Sequence, residues 1–96
     1  MKFDGFDWDD GNAAKCEKHG LTLDDIEDVL TRDPLIAPDV NHSADEQRWI
    51  AAGLHRSQRP VFIAFTLRTK DDSALIRPIS ARFMHAKEAK NYGDQT

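Results

Sequence analysis

The chain has 96 residues, 40% of them hydrophobic and 31% charged, with a net charge of −4. This length leaves room for one hydrophobic core, so we expect a single domain over residues 1–96. The longest apolar run, Val61 to Leu67, is too short to cross a bilayer, and the first residues lack the pattern of a signal peptide. The single cysteine, Cys16, excludes an internal disulfide, so we expect a cytoplasmic protein with no membrane partner.

Charge is divided unevenly along the chain. Residues 1–48 hold five Lys/Arg and thirteen Asp/Glu, a net charge of −8, whereas residues 49–96 hold eight and four, a net charge of +4. This asymmetry indicates an acidic region beside a basic site that attracts a polyanion. The alternative is that solvated surface charge is segregated without a function.

The first elements are predicted from alternation and from capping residues. Lys2 to Trp8 alternates in the way expected of a short edge strand. Asp9 is suited to cap a helix from Asp10 to His19, because its side-chain oxygen can accept a hydrogen bond from a free backbone N–H. Gly20 follows at the position where a helix commonly ends in a left-handed residue.

A second helix is predicted from Thr22, which with Asp25 forms a variant of the capping box. Its end is predicted before Pro34, since the residue preceding a proline is disfavoured in the helical conformation. Leu35 to Asp39 then has the character of a short strand, and Asn41 to Glu46 that of a polar loop.

The second half of the chain is dominated by strands. Arg48 to Leu54 is predicted as a strand, although its alanines leave a helix open. After a turn at His55 to Arg59, the alternation over Val61 to Arg68 gives the clearest strand of the sequence. A hairpin-like turn at Thr69 to Ser73 leads to a further strand over Ala74 to Arg82.

Proline and the last residues complete the predicted architecture. Pro78 has no N–H to donate, so its strand either lies at an edge or is bulged there. Met84 to Tyr92 is predicted as the final helix, with Gly93 to Thr96 frayed. We therefore expect an α+β fold with two N-terminal helices, an antiparallel sheet of about four strands and a C-terminal helix.

Strand parity separates the arginines of the two long strands. Arg68 shares a face with Phe62, and Arg82 shares a face with Ser80, whereas Arg77 points to the opposite side. Arginine can grip an anionic oxygen with two donors, so we rank Arg68 and Arg82 above Arg77 as phosphate ligands. Any one of these arginines, taken alone, is better explained as an ordinary surface or ion-paired residue, and only the set as a whole favours a phosphate site.

Two N-terminal motifs, two arginine-bearing strands and the last helix follow one another in a characteristic order: Trp8-Asp9-Asp10-Gly11-Asn12, Lys15-Cys16 with Lys18-His19-Gly20, Phe65-Thr66-Leu67-Arg68, Ile76-Arg77-Pro78-Ile79-Ser80-Ala81-Arg82, and Lys87, Glu88 and Tyr92. In their order and spacing these segments resemble the BrnT family, small RelE-like ribonuclease toxins of bacterial type II toxin–antitoxin systems. The resemblance extends from about Phe6 to Tyr92.

The resemblance implies a RelE-like domain that cleaves mRNA without a metal and is neutralised by a cognate BrnA-like ribbon-helix-helix antitoxin. DNA would be contacted only through that antitoxin, and no cofactor is implied. The alternative function is a non-catalytic protein-binding module that acts with a DNA-binding partner in transcriptional autoregulation. The acidic first half suits a basic antitoxin segment, with docking expected on the acidic face of the second helix: Asp24, Asp25, Glu27 and Asp28.

Metal-free RNA cleavage needs a base for the 2′-hydroxyl, cations for the phosphate and an acid for the leaving 5′-oxygen. The candidate catalytic residues are Arg68, Arg82, His19, Lys18, Arg48 and Tyr92. The candidate substrate-binding residues are Arg77, Ser80 and Lys87. Glu88 is a candidate to orient an arginine. His42, His55 and His85 have no partner at the spacing typical of metal ligands, and Cys16 has no neighbouring cysteine, so a zinc site is not expected.

Two of these interpretations have structural alternatives. His19 ends a predicted helix, where the dipole favours the protonated form, so it is suited to act as a general acid. It is equally suited to be only the last residue before the turn at Gly20. Trp8, Trp49 and Phe83 are expected to pack in the core, although aromatic residues near basic ones can also stack on unpaired bases.

Overall fold

The computed structural model describes residues 3–42 and 45–95. The strands, in chain order, are β1 (Gly5–Phe6), β2 (Leu35–Pro38), β3 (Trp49–Leu54), β4 (Pro60–Lys70) and β5 (Ser73–Phe83). The α-helices are α1 (Asp10–Cys16), α2 (Leu23–Thr31) and α3 (Ala86–Gln95), and short 3-10 helices cover Glu17–His19 and Val40–His42.

The strands form one sheet in the order β1-β5-β4-β3-β2. The four longer strands are antiparallel to their neighbours, whereas β1 pairs in parallel with β5. The predicted α+β class is confirmed, and β1 lies at an edge as expected. The prediction of about four antiparallel strands is wrong, because the two residues of β1 add a fifth strand in the parallel direction.

Local capping explains where α1 begins and ends. The N–H of Asn12 donates to the Asp9 carboxylate at 3.0 Å, and the N–H of Asp9 donates to the Asn12 side chain at 2.7 Å. The helix predicted to reach His19 stops at Cys16 and continues as the 3-10 helix. Gly20 has a φ of +92°, so the predicted left-handed residue is confirmed at the position that ends this segment.

Helix α2 begins with the predicted capping box. The N–H of Asp25 donates to the Thr22 hydroxyl and the N–H of Thr22 donates to the Asp25 carboxylate, both at 3.0 Å. The helix ends at Thr31, before Pro34. Its buried residues are Ile26, Val29 and Leu30. The two N-terminal helices pack on one face of the sheet, which we call the helical face.

The core lies between these helices and the sheet. Its buried residues on the helical face of β4 and β5 are Val61, Ile63, Phe65, Ile76 and Ala81. At Gly53 an added Cβ would lie 2.8 Å from a Val29 methyl carbon, so α2 approaches β3 as closely as glycine permits. The opposite face of the sheet carries Phe62 and Arg82 and is called the groove face below.

A β-bulge in β5 changes which arginines share a face. Ala64 lies opposite Ser80 and Phe65 lies opposite Pro78, so Ile79 is left over. The bulge predicted as one option for Pro78 is therefore confirmed. Because β5 changes parity at the bulge, Arg77 lies opposite Thr66 and on the same face as Arg82. The prediction that these two arginines point to opposite faces is wrong, since it assumed an unbroken strand.

The C-terminal helix differs from its predicted bounds. It begins at Ala86, and the backbone N–H of His85 donates to the Glu88 carboxylate at 2.8 Å, which satisfies an otherwise free donor at this end. It continues to Gln95, so the predicted fraying from Gly93 is wrong for residues 93–95. Thr96 lies outside the described residues, as do Met1 and Lys2 of the predicted first strand and Ser43 and Ala44 of the predicted loop.

Candidate functional site

The groove face carries an open cavity of about 610 Å³. Its apolar floor is formed by Ile50, Phe62 and Ala64, which lie side by side on β3 and β4. The polar residues around it come from four different segments: His19, Asp39, Asn41, Ser80, Arg82 and Glu88. We call this cavity the groove. An apolar floor with convergent polar groups is typical of a ligand site.

Arg82 is held at the groove by α3. Its Nη1 and Nη2 donate to the two carboxylate oxygens of Glu88 at 2.8 and 2.9 Å, and Nη1 also donates to the Phe83 carbonyl at 3.3 Å. The guanidinium carbon lies 5.1 Å from the centre of the Phe62 ring. The charged group is therefore fixed in position by a fork-to-fork ion pair and an aromatic floor.

This ion pair shifts the pKa of both partners. The hydrogen bonds from Arg82, aided by the His85 N–H, lower the pKa of Glu88 to about 2. The same hydrogen bonds raise the pKa of Arg82 above its ordinary value. A carboxylate with such a low pKa is a weak proton acceptor, so Glu88 is a poor general base while it remains paired with Arg82.

His19 reaches the groove from the 3-10 helix that follows α1. This short helix packs against β5, and the left-handed Gly20 turns the chain away immediately afterwards. The residue is exposed, and within residues 3–42 and 45–95 its ring has no hydrogen-bond partner. The structure thus brings together two of the predicted catalytic residues, His19 and Arg82. Lys18 is exposed beside His19 but does not line the groove.

Arg68 does not reach the groove. Its Nη1 pairs with the Glu46 carboxylate and donates to the Thr66 hydroxyl at 3.1 Å. Arg68 lies six residues along β4 from Phe62, the residue opposite Arg82, which corresponds to about 20 Å at the rise of an extended strand. One phosphate cannot contact both arginines at that separation, so the structure does not bring these two predicted phosphate ligands together.

Arg77 forms ion pairs with the segment that leads into α1. Its Nη2 donates to the Asp9 carboxylate at 2.8 Å, and its Nη1 donates to Asp7 at 3.4 Å. The pKa of Asp9 is lowered, first by the backbone N–H of Asn12 and then by Arg77. Asn12 also donates to the Pro78 carbonyl at 2.9 Å. These contacts join the start of α1 to β5, and Arg77 does not line the groove.

The other predicted site residues are dispersed around the groove. Ser80 lines it, opposite Ala64, whereas Lys87 is exposed on α3 and outside it. Tyr92 lines an adjoining cavity of about 230 Å³, which shares Phe62 and Glu88 with the groove. Arg48 is half-buried before β3, and its carbonyl accepts the N–H of Asp39 at 2.8 Å. That bond holds the loop that brings Asp39 to the groove.

Six residues of the groove were not among the predicted site residues: Asp39, Asn41, Ile50, Phe62, Ala64 and Ala81. Asp39 follows the edge strand β2 and Asn41 lies in the next 3-10 helix, and no local pattern relates either residue to β5. The apolar floor could have been predicted from strand alternation, because Phe62 shares a face of β4 with Arg68, and a large apolar side chain on that face indicates a surface that is partly covered.

Three of the four acidic residues expected to face a partner have contacts inside the protein. The Glu27 carboxylate accepts the indole N–H of Trp8 at 2.8 Å. Asp28 pairs with Arg32 at 3.1 Å. The Asp25 carboxylate, whose pKa is lowered chiefly by the Thr22 N–H, also lies 3.2 Å from the His55 ring. Asp24 is exposed, and no contact within the described residues occupies its carboxylate.

The remaining titratable features restrict the chemistry of the described residues. Cys16 is buried, which raises the pKa of its thiol to about 11, so it stays protonated at neutral pH. Among residues 3–42 and 45–95, no group of three or more His, Cys, Asp or Glu is placed to hold a metal ion. None of the helices in that part of the chain is long and apolar enough to cross a membrane.

Comparison with protein families gives a match that covers most of the chain. Residues 8–88 match the family model described as "Ribonuclease toxin, BrnT, of type II toxin-antitoxin system". That segment includes all the residues that line the groove, from His19 to Glu88, and ends before Tyr92. No curated protein matches the chain. The match covers most of the chain, and the protein therefore belongs to the BrnT family of ribonuclease toxins of type II toxin–antitoxin systems.

Proposed function

We propose that this protein is a metal-independent endoribonuclease that cleaves mRNA at the groove and is neutralised by a cognate ribbon-helix-helix antitoxin. The observation that carries the proposal is the placement of Arg82 and His19 at one open cavity with an aromatic floor. A fixed guanidinium and an exposed imidazole supply the two kinds of group that phosphodiester cleavage needs, a charge for the phosphate and a proton carrier.

In the proposed reaction, Arg82 binds the scissile phosphate in place of Glu88. The 2′-oxygen attacks phosphorus and loses its proton to a base, while the bond from phosphorus to the 5′-oxygen breaks. His19 donates the proton that the 5′-oxygen gains, and the products are a 2′,3′-cyclic phosphate and a free 5′-hydroxyl. Arg82 stabilises the charge on the pentavalent phosphate, because its donors are positioned before the reaction begins.

Glu88 is our candidate for the base that accepts the 2′-proton. Its pKa of about 2 arises from the contacts with Arg82 and His85, so it accepts protons poorly in the unliganded protein. A phosphate that takes over the Arg82 donors releases the carboxylate, whose pKa then rises toward the ordinary value for glutamate, about 4.3. Substrate binding thus creates a stronger base at the site where the 2′-hydroxyl arrives.

The other predicted site residues have supporting roles in this proposal. Lys18, exposed beside His19, attracts the RNA backbone, and Ser80 on the groove wall binds phosphate or ribose. Tyr92 and Lys87 on α3 border the path of the nucleotides that flank the cleaved bond. Arg48 positions the loop on the other side of the groove. Arg68 and Arg77, each paired with a carboxylate away from the groove, stabilise the fold.

The antitoxin is proposed to be a BrnA-like ribbon-helix-helix protein, so that DNA is contacted only through it. Its docking segment is expected to be basic, because the first half of the chain carries a net charge of −8. Asp24 is the carboxylate on α2 that is available to such a segment, since its three acidic neighbours have internal partners. The complex would cover the groove and keep RNA away.

A non-catalytic binding module is the alternative function, and one observation favours it. Arg68, Arg77 and Arg82 all pair with carboxylates of the same chain, so each has its charge compensated before any RNA is bound. If those pairs do not open, the fold supports only the binding of an antitoxin. The two functions differ in whether Arg82 exchanges Glu88 for a phosphate.

Inducible expression in bacteria followed by primer extension on total RNA tests the proposal. We expect growth arrest and new transcript ends for the wild-type chain, and neither for Arg82→Ala. Arg32→Ala is the matched control, because Arg32 also pairs with a carboxylate but lies directly after α2, outside the groove. Intact transcripts in cells that contain soluble, folded wild-type protein would favour the binding module.

A further inference from the structure

Arg59 differs from the other arginines in what its guanidinium contacts. In the part of the chain that the structure describes, ion pairs with carboxylates are seen for Arg32, Arg56, Arg68, Arg77 and Arg82, and Arg48 has partners as well. The guanidinium of Arg59 has neither an ion pair nor a hydrogen bond within residues 3–42 and 45–95. It stacks on the Phe83 ring, with the guanidinium carbon 3.8 Å from the ring centre, and the residue is exposed. Its donors therefore face solvent.

The turn between β3 and β4 holds Arg59 in this position. The N–H of His55 donates to the Arg59 carbonyl at 2.9 Å, and the N–H of Gln58 donates to the His55 carbonyl at 2.8 Å. The N–H of Ser57 donates to Nδ1 of His55 at 3.0 Å, so the imidazole is part of the turn. An arginine whose backbone and ring stack are fixed loses little conformational entropy when it binds an anion.

The same turn is tied to the helical face. Nε2 of His55 lies 3.2 Å from the Asp25 carboxylate at the start of α2, and its ring meets Phe83 edge to face at a centroid distance of 5.4 Å. Nε of Arg56 lies 3.5 Å from Asp25, and 59% of the Arg56 side chain is exposed. An exposed pair at this distance is weak, so Arg56 can also donate to a second anion.

This turn lies at the end of the sheet that also carries the groove. Phe83 follows Arg82 in β5, and Nη1 of Arg82 donates to the Phe83 carbonyl at 3.3 Å. The side chains of the two residues point to opposite faces, because Arg82 lies opposite Phe62 and Phe83 lies opposite Val61. Arg59 and Arg82 are thus on the two sides of one strand end, and a chain leaving the groove over that end meets Arg59.

We propose that Arg59, stacked on Phe83 and assisted by Arg56, binds the backbone of single-stranded RNA outside the groove. This inference rests on the proposed function, since it extends the path of the same substrate. Phosphate is the matching ligand because Arg59 presents an unpaired planar fork of donors, and a phosphate oxygen pair fits that fork. An RNA strand is the matching partner because a second cation beside the cleavage groove can engage a second phosphate of one chain.

Binding and cleavage measured separately test this inference. The binding probe is a fluorescein-labelled single-stranded RNA with 2′-O-methyl groups, which cannot be cleaved through the 2′-hydroxyl, and the readout is anisotropy over a range of salt concentrations. We expect Arg59→Ala to bind several-fold more weakly and to lower the slope of log K against log salt by about 0.7, the loss of one phosphate contact. Arg32→Ala, with a side chain 56% exposed and paired on α2, is the matched control and should bind as the wild type does.

Two further measurements distinguish a backbone contact from damage to the fold. An RNA too short to extend beyond the groove should be bound equally by Arg59→Ala and the wild type, and the melting temperatures should agree. Arg59→Lys should restore the salt slope, because it restores the charge. Unchanged affinity for the long RNA in Arg59→Ala, with weaker binding by Arg82→Ala, would overturn this inference and leave the proposed function intact. Absence of RNA binding by the wild type would overturn both.

Discussion

Two arginines of β5 lie on either side of one bulge, and both hold carboxylates at 2.8 Å, yet they have different surroundings. Arg77 pairs with Asp7 and Asp9 in the segment that begins α1. Arg82 pairs with a residue of α3 at the edge of a 610 Å³ groove. The ion pair alone does not reveal the role of either arginine. The two arginines differ in the location of the partner carboxylate and in whether a cavity adjoins the ion pair. These two features distinguish the structural arginine, Arg77, from the candidate catalytic arginine, Arg82.

The largest expected difference between the two arginines is in cleavage. Arg82→Ala should lower kcat by about 10²–10³, the usual cost of removing one preorganised donor from a developing charge. The fold should persist, because 39% of the Arg82 side chain is exposed and the core does not depend on it. Single-turnover cleavage of a labelled RNA measures the change. A variant that is unfolded by circular dichroism would show that Arg82 is structural.

Glu88→Gln tests whether the carboxylate at the groove is only a partner for Arg82. An amide cannot accept the 2′-proton and holds the guanidinium less firmly, so kcat should fall by about 10²-fold, with a smaller change in KM. Glu88→Asp should recover part of the activity. If Glu88→Gln is instead more active than the wild type, the carboxylate acts as an inhibitor that competes with phosphate for Arg82.

Arg77→Ala should affect stability and leave kcat nearly unchanged. Removing it leaves Asp7 and Asp9 without their cation at the start of α1 and loosens the attachment of that helix to β5. We expect the Tm to fall by about 4–8 °C, the shift that a loss of about 1 kcal/mol gives in a domain of this size. Asp9 is exposed, which keeps the effect small. Differential scanning calorimetry measures the Tm, and the cleavage rate per folded molecule measures kcat. If Arg77→Ala kept the wild-type Tm and lost activity, Arg77 would be the catalytic arginine instead of a structural one.

The ion pair between Glu88 and Arg82 should make the stability of the protein depend on pH in the acid range. The pKa of Glu88 is depressed to about 2 in the folded protein, so its contribution to stability is complete above its unfolded value of about 4.3. That contribution is lost as the pH falls through this window toward 2. Urea unfolding between pH 5 and pH 2 should therefore show a shallower loss of stability in Glu88→Gln than in the wild type. Identical slopes would show that the ion pair with Arg82 does not persist in solution.

The smallest expected effect concerns the antitoxin. Asp24→Lys should slow association with the antitoxin and weaken its salt dependence, because it reverses an exposed charge without removing an internal contact. Stopped-flow fluorescence at low and high salt measures the rate. Asp28→Lys is an unsuitable comparison, since it also removes the pair with Arg32, but Asp72→Lys, at an exposed turn in the other half, is a fair control. Equal rates for both variants would exclude docking near Asp24.

Local rules predicted the parts of this fold that depend on neighbouring residues. Asp9 and Thr22 cap their helices as expected, because a cap involves partners within three residues. The bulge beside Pro78 was foreseen as one of two options, because a proline lacks the ladder donor. The residues of β4 alternate as predicted, since one face meets the core and the other meets the groove.

The features that sequence reasoning missed depend on contacts far apart in the chain. The edge strand that the alternation of residues 2–8 predicts is present at Gly5–Phe6, but its parallel pairing with β5, which places Gly5 opposite Leu75, has no local signal in the sequence. The ion pair between Arg68 of β4 and Glu46, which lies in the segment before β3, joins two parts of the chain that no sequence motif connects. The parity of Arg77 was predicted wrongly because a single extra residue at Ile79 reverses every side chain beyond it.

Whether Arg82 is the catalytic arginine is tested most directly by comparing three purified proteins, the wild type, Arg82→Ala and Arg77→Ala, in one cleavage assay with EDTA. Concentrations are matched by folded fraction. We expect the wild type and Arg77→Ala to cleave at similar rates and to leave a 2′,3′-cyclic phosphate, and Arg82→Ala to be slower by about 10²–10³. Full activity of Arg82→Ala, or cleavage that EDTA abolishes and magnesium restores, would contradict this expectation.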